Sequence, residues 1–253
     1  AEYVRYIAEH NIPPMRGAKA AINLPLLFEP GERWEYGIST DWVGLAVEAV
    51  SGKPLDAYFQ DHIFAPLGMG DTVFLPDEAQ AARRAATHQR QVDGSLVPVP
   101  PARPRHPEYF SGGGGLFSTL ADYQKFLRMF LQKGAGIVSP ETVAEMSRNQ
   151  IGGLRAGYIP SANPAVITGS DFNPGQDSKW GLGFLIFPER GPFGRNAGSL
   201  SWAGLPNCYF WIDPAAGLAA MMLSQVLPSG DAGALKTFFA FEKVVYAAPR
   251  AAA

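Results

Sequence analysis

The chain has one cysteine, Cys208, so no internal disulfide can form and the redox compartment stays open. It has no run of about 18 apolar residues, so no membrane span is expected. Charged residues make up only 17% and sum to −2, which gives no basic face for nucleic acid. The four histidines lie far apart in sequence without metal-ligand spacing, and neither a metal nor a cofactor is expected. Residues 1–10 lack the basic start and apolar block of a signal peptide. The first residue is Ala1, not Met, which fits a start other than the native one. A soluble protein is expected, cytoplasmic or periplasmic, with the compartment left open.

What is present is enough apolar material for a core. The 253 residues are 47% hydrophobic, which suits one large domain or two small ones. Gly 28 and Pro 22 suggest many turns between short elements. Residues 1–10 read as helical and 11–30 as loop, with Pro13, Pro14, Pro25 and Pro30. A helix follows, capped by Ser39 or Thr40, with Asp41 in its first turn and Gly52 at its end. Trp42, Leu45, Ala46, Ala49 and Val50 give its apolar spacing. A second helix starts near Pro54, carries Leu55, Tyr58, Phe59 and Ile63, and closes at Pro66 and Gly68. Residues 71–109 read as strands and long turns around a proline run. Further helices are expected over 120–133 and from Ser139-Pro140 onward. Strands are expected at 181–187, 208–212 and 218–226, with a hairpin turn at 213–217 and a closing helix at 232–246. Helices first, then hairpin strands and a helix, imply an antiparallel α+β architecture.

The stretch Phe28-Glu29-Pro30-Gly31-Glu32-Arg33-Trp34-Glu35-Tyr36-Gly37-Ile38-Ser39 is specific. It resembles the approach to the second motif of serine β-lactamase-like and penicillin-binding-protein-like hydrolases, where a tyrosine begins Tyr-x-Asn. Phe64-Ala65-Pro66-Leu67-Gly68-Met69-Gly70-Asp71-Thr72 and Gly112-Gly113-Gly114-Gly115-Leu116-Phe117-Ser118-Thr119 continue the likeness in order. Ser201-Trp202-Ala203-Gly204 stands where the third motif belongs, in the Trp-x-Gly form of family VIII carboxylesterases. The resemblance covers about residues 25–246. It implies a β-lactamase/transpeptidase-like α+β fold with an N-terminally incomplete chain. Residues 1–30 are then a lead-in, 31–175 a mainly helical region with inserted loops, and 176–253 the strands and last helix of a single catalytic domain.

Two departures stand out. Ile38 replaces the motif's asparagine, which shifts the expectation from β-lactam enzymes to carboxylesterases. The nucleophile motif is absent, because no serine is followed by lysine three positions later and no Gly-x-Ser-x-Gly occurs. A fragment, or one piece of a split enzyme, is the simplest account.

A serine hydroxyl is a weak nucleophile until a base takes its proton. The resemblance assigns that base to Tyr36, whose free phenol has a pKa of about 10 and needs a nearby cation to lower it. Such positioned proton transfer contributes roughly a hundred- to ten-thousand-fold. By the family pattern, the strand after the third motif supplies one oxyanion donor, the Leu205 N–H here. Trp202, Ala203, Gly204, Ile38, Gly113 and Gly114 are the expected substrate-binding residues. Trp202 offers an apolar wall in place of a lysine and suits an uncharged ester.

Plainer readings stand beside these. Tyr36 alone could be a core or turn tyrosine, and Trp202 a packing residue. Residues 112–115 are no Walker loop, since no Lys-Ser/Thr follows them. His88 and His106 read as surface or structural, Cys208 as a small buried hydrophobe, and Asp41 as a first-turn charge. Three functions follow: a carboxylesterase working through an acyl-enzyme; a β-lactamase, D-aminopeptidase or acyltransferase; or a non-catalytic binding module. The expected partners are a small ester or amide substrate and a complementing N-terminal segment or chain.

Overall fold

The computed structural model describes residues 6–7, 9–12, 18–100, 107–161 and 163–248. Most of the helix expected over 1–10, Pro13 and Pro14, and His106 with its neighbours at 101–106 lie outside the described residues. The chain divides into two compact units, Ala1–Ala85 with Pro101–Met129, and Ala86–Pro100 with Phe130–Ala253.

In the first unit, α1 spans Ser39–Ser51 and ends at Gly52, whose φ of 68° only glycine adopts without strain. Its N-cap position is Ile38, with no side-chain cap, so neither Ser39 nor Thr40 caps it as expected. The Asp41 N–H bonds the Ile38 carbonyl at 3.0 Å instead. The next helical stretch runs as α2, Leu55–Phe59, a π-turn over Gln60–Phe64, and α3, Ala65–Leu67. Pro66 has no N–H to return to the preceding turn, which favours such a widened turn just before it. Region 71–109 also holds a helix that was not expected, α4 at Glu78–Ala82. Asp77 accepts the Gln80 N–H while the Gln80 side chain accepts the Asp77 N–H, a reciprocal cap. The core here is Leu55, Phe74 and Phe110, backed by Val47, Phe59 and Leu75.

α5, Leu120–Leu131, stops short of Lys133, which turns to φ 54°. α6, Pro140–Met146, is capped by Ser139 as expected. In the second unit, β1 (His88–Arg90) pairs antiparallel with β2 (Leu96–Pro98), and β3 (Tyr158–Ile159) with β4 (Ser170–Asp171). A five-stranded antiparallel sheet then forms in chain order: β5 Lys179–Trp180, β6 Leu185–Ile186, β7 Leu200–Gly204, β8 Cys208–Asp213 and β9 Leu218–Met222. β10, Val226–Leu227, leaves this sheet to pair in parallel with β1. The final helix, α7, is Ala232–Ala247.

The antiparallel α+β architecture is as expected. The expected strand at 181–187 is instead a turn over 181–184 followed by the short β6, which pairs back with β5 just before the turn. A Cβ on Gly181 would overlap the Met146 carbonyl oxygen, and Gly183 turns at φ 90°. The expected strand at 218–226 divides, because the Gln225 carbonyl turns away to accept the His88 N–H at 2.8 Å. The 213–217 turn forms as expected, with Asp213 accepting the Ala216 N–H at 2.9 Å. Alternation along β8 sends Tyr209 and Trp211 to one face, where α7 packs Phe238, Leu235, Phe241 and Val245 against them. Among the described residues no helix is long and apolar enough to cross a membrane.

Candidate functional site

Tyr36, Ile38, Gly113 and Gly114 belong to the first unit, and Trp202, Ala203, Gly204 and Leu205 to the second. Tyr36 is 45% exposed and sits in a non-helical stretch leading into α1. Its ring is therefore not the core tyrosine of the plainer reading. Ile38, half-buried, closes that stretch and offers no hydrogen bond from its side chain.

The glycine run is fixed to the first turn of α1. Asp41 is 8% exposed, and its Oδ1 accepts the Gly113 N–H at 3.1 Å and a short hydrogen bond from Ser111 Oγ. The Ser111 hydroxyl oxygen also accepts the Gly113 N–H at 3.2 Å. A Cβ on Gly112 would overlap the Thr40 carbonyl oxygen, so backbone meets backbone at this contact. Asp41 is thus more than a first-turn charge. Its carboxylate ties the segment after Tyr36 to the glycine run. Nearby, burial first and the Asp41 charge second push the Tyr109 phenol above its usual pKa.

In the second unit, Trp202, Ala203 and Gly204 close β7, paired with Phe210, Tyr209 and Cys208. Leu205 lies not in a strand, as expected, but in the 205–207 turn of the β7–β8 hairpin, and it is 49% exposed. Asn207 takes φ 59°, and a short polar side chain that can bond locally is what tolerates that region. Asn207 is fully buried. Its Nδ2 donates to the Val226 and Pro228 carbonyls, each at 2.8 Å. Its Oδ1 accepts from Tyr209 Oη at 2.6 Å, Gly230 N–H at 2.9 Å and Asp231 N–H at 3.1 Å. Burial pushes the Tyr209 phenol up to about 12, so it stays a donor.

Trp202 meets the rings of Trp180 and Phe172. Trp180 lies 4.5 Å away at 84°, and Phe172 lies 5.0 Å away at 30°. Cys208 is half-buried, and burial raises its thiol pKa, which disfavours the reactive thiolate. His88 bonds the Ala86 carbonyl through Nδ1 at 3.1 Å, a structural role. Among the described residues no group of three or more His, Cys, Asp or Glu could hold a metal ion.

Sequence reasoning missed Asp41 as a loop anchor, and it missed Ser111, Asn207, Trp180 and Phe172. Asn207 had a local signal, since Pro206-Asn207 between two strand-like runs is a turn pair. The other partners come from distant segments and had none.

Comparison with known proteins adds the ancestry of these parts. A family model described as Beta-lactamase matches residues 13–244. Monacolin J acid methylbutanoyltransferase of Aspergillus terreus is 32% identical over 248 residues, covering 91% of this chain and 58% of that protein. Esterase EstB of Burkholderia gladioli is 29% identical over 245 residues, covering 88% and 57%. A solved structure of a simvastatin synthase mutant from Aspergillus terreus superposes with a TM-score of 0.79 at 29% identity, covering 96% of this chain and 62% of that one. The chain spans less than two thirds of the length of each of these relatives.

Proposed function

The chain belongs to the Beta-lactamase family, and from that premise we propose that it takes part in serine acyl transfer from small uncharged esters, with Tyr36 as the base. The observation that carries this reading is the exposed phenol of Tyr36, at the mouth of a helix whose first turn is locked to the glycine run. An exposed phenol can meet a substrate without a rearrangement of the core.

The nucleophile is a Ser-x-x-Lys serine supplied from outside these 253 residues, by an adjoining segment or a complementing chain. The Tyr36 phenolate takes the serine proton as Oγ attacks the ester carbonyl. The oxyanion is held by the serine N–H and a second backbone donor. Tyr36 then returns the proton to the departing alkoxide, which leaves an acyl-enzyme. A water or an alcohol releases the acyl group by the same steps in reverse. Ile38 and Trp202 carry no charge, which leaves the carboxylate of a β-lactam without a partner and costs an uncharged ester nothing.

A second reading keeps the same chemistry with an alcohol as acceptor. It is favoured by the name of the Aspergillus terreus relative, a methylbutanoyltransferase. The decisive assay expresses this chain together with the coding sequence adjoining it in its own genome. Short p-nitrophenyl esters should be hydrolysed, and Tyr36→Phe should lower kcat about a hundredfold or more. Added alcohols that partition the acyl group away from water would select the transferase reading. If the joined protein neither turns over esters nor labels with a fluorophosphonate, the chain is a binding module and the proposal fails.

A further inference from the structure

Phe172, Trp180 and Trp202 come from three separate segments of the second unit and meet at the third motif. The two indoles stand 84° apart with centroids at 4.5 Å, so they form a corner and not a stack. Phe172 closes the corner at 5.0 Å from Trp202, while also packing on the Tyr209, Trp211 and Phe238 cluster. The core has its own aromatic filling: Phe130, Phe184 and Phe210 are buried, and Phe184 meets each of the other two edge to face. Trp180, Trp202 and Phe172 by contrast remain partly exposed. Two residues beyond Trp202, Gly204 carries no side chain to crowd the approach.

We infer that Phe172, Trp180 and Trp202 form a subsite for a ring-bearing hydrophobic group, so that the substrate carries an aryl or fused-ring portion. The inference rests on the reading that residues 202–205 border the acyl-transfer site. A flat ring can lie against one indole face while its edge meets the other, since aromatic pairs favour offset and edge-to-face contact. A linear acyl chain gains only area from the same corner. Aromatic lining with few polar groups is also what small-molecule sites use to hold apolar ligands.

The test needs no turnover. Methyl naphthyl ketone, which carries the ring but no ester, is titrated into the wild-type chain and followed by the indole N–H resonances of its five tryptophans. The Trp180 and Trp202 signals should shift together, while those of Trp211 and Trp42, bonded to Tyr246 Oη and the Ile22 carbonyl at 3.1 Å each, stay in place. Trp180→Leu and Trp202→Leu should each weaken binding about tenfold. Methyl pentyl ketone should bind more weakly than the naphthyl compound by a similar factor. Shifts at Trp42 alone, or equal affinity for the two ketones, would overturn the subsite. Should a variant misfold, the wild-type shifts still decide. Ring binding by a joined protein that hydrolyses no ester sinks the catalytic reading alone, and hydrolysis without ring binding sinks the subsite alone.

Discussion

The carboxylate of Asp41 accepts the Gly113 N–H across 72 residues of sequence, at 3.1 Å. One buried charge therefore joins the entry to α1, just after Tyr36, to the glycine run. Removing it leaves the Gly113 N–H with only the Ser111 hydroxyl, which itself loses its acceptor.

Asp41→Ala should destabilise the chain by roughly 1–3 kcal/mol, the cost of orphaning buried partners. Asp41→Asn keeps an acceptor oxygen and should cost less. Urea midpoints rank the two, and hydrogen exchange at the Gly113 amide should quicken in Asp41→Ala. Gly112→Ala should be worse than either, because its Cβ would overlap the Thr40 carbonyl oxygen. An alanine tolerated at 112 would show that this contact is not tight.

Asn207 offers a cleaner separation of backbone from side chain. Asn207→Gly removes all five hydrogen bonds but accepts φ 59° without strain. Asn207→Ala removes the same bonds and adds a left-handed alanine, at a further cost of about 1–2 kcal/mol. The glycine variant should therefore melt above the alanine variant and below wild type. Equal melting temperatures for glycine and wild type would mean that the buried network contributes nothing.

Asp213 should contribute to the pH dependence of stability. Burial alone would raise its carboxyl, but bonds from the Asn196 N–H and side chain, Tyr246 Oη and the Ala216 N–H outweigh it and hold it below the usual range. A folded pKa below the unfolded value of about 3.9 gives stability that is present above that pH. The stability is lost as pH falls through the folded value. Asp213→Asn should thus be less stable than wild type at neutral pH, with the gap narrowing toward pH 3. Urea midpoints for the two proteins at both pH values measure it. A gap constant with pH would assign the loss to shape and not to charge.

Legibility in the sequence followed the range of the forces involved. Ser139-Pro140 and Gly52 mark helix ends through contacts a few residues long, and the structure has both ends where those signals stand. The Asp77–Gln80 box is equally local, but the surrounding prolines and turns hid it. The turn within the 181–187 stretch depends on how closely the Met146 carbonyl approaches Gly181, 35 positions away, and no spacing rule carries that. Tyr36 and Trp202 are nominated by resemblance alone. Their neighbours Asp41, Asn207 and Trp180 act through tertiary contacts that a single sequence does not encode locally.

The outer edge of β9 bears on assembly. β9 is the last strand in the order of the five-stranded sheet, and among the described residues it pairs only with β8. Its sequence is Leu218-Ala219-Ala220-Met221-Met222, with no charge, proline or glycine. Such residues are what natural edge strands use to deter pairing with another chain. The chain alone is therefore expected to self-associate, or to bind a complementing strand, in a concentration-dependent way. Light scattering behind size exclusion should show mass rising with loading, and β9 amides pointing away from β8 should exchange more slowly as concentration rises. A monodisperse monomer across that range, with a cooperative melt and fast exchange at those amides, would show that the edge is protected without a partner.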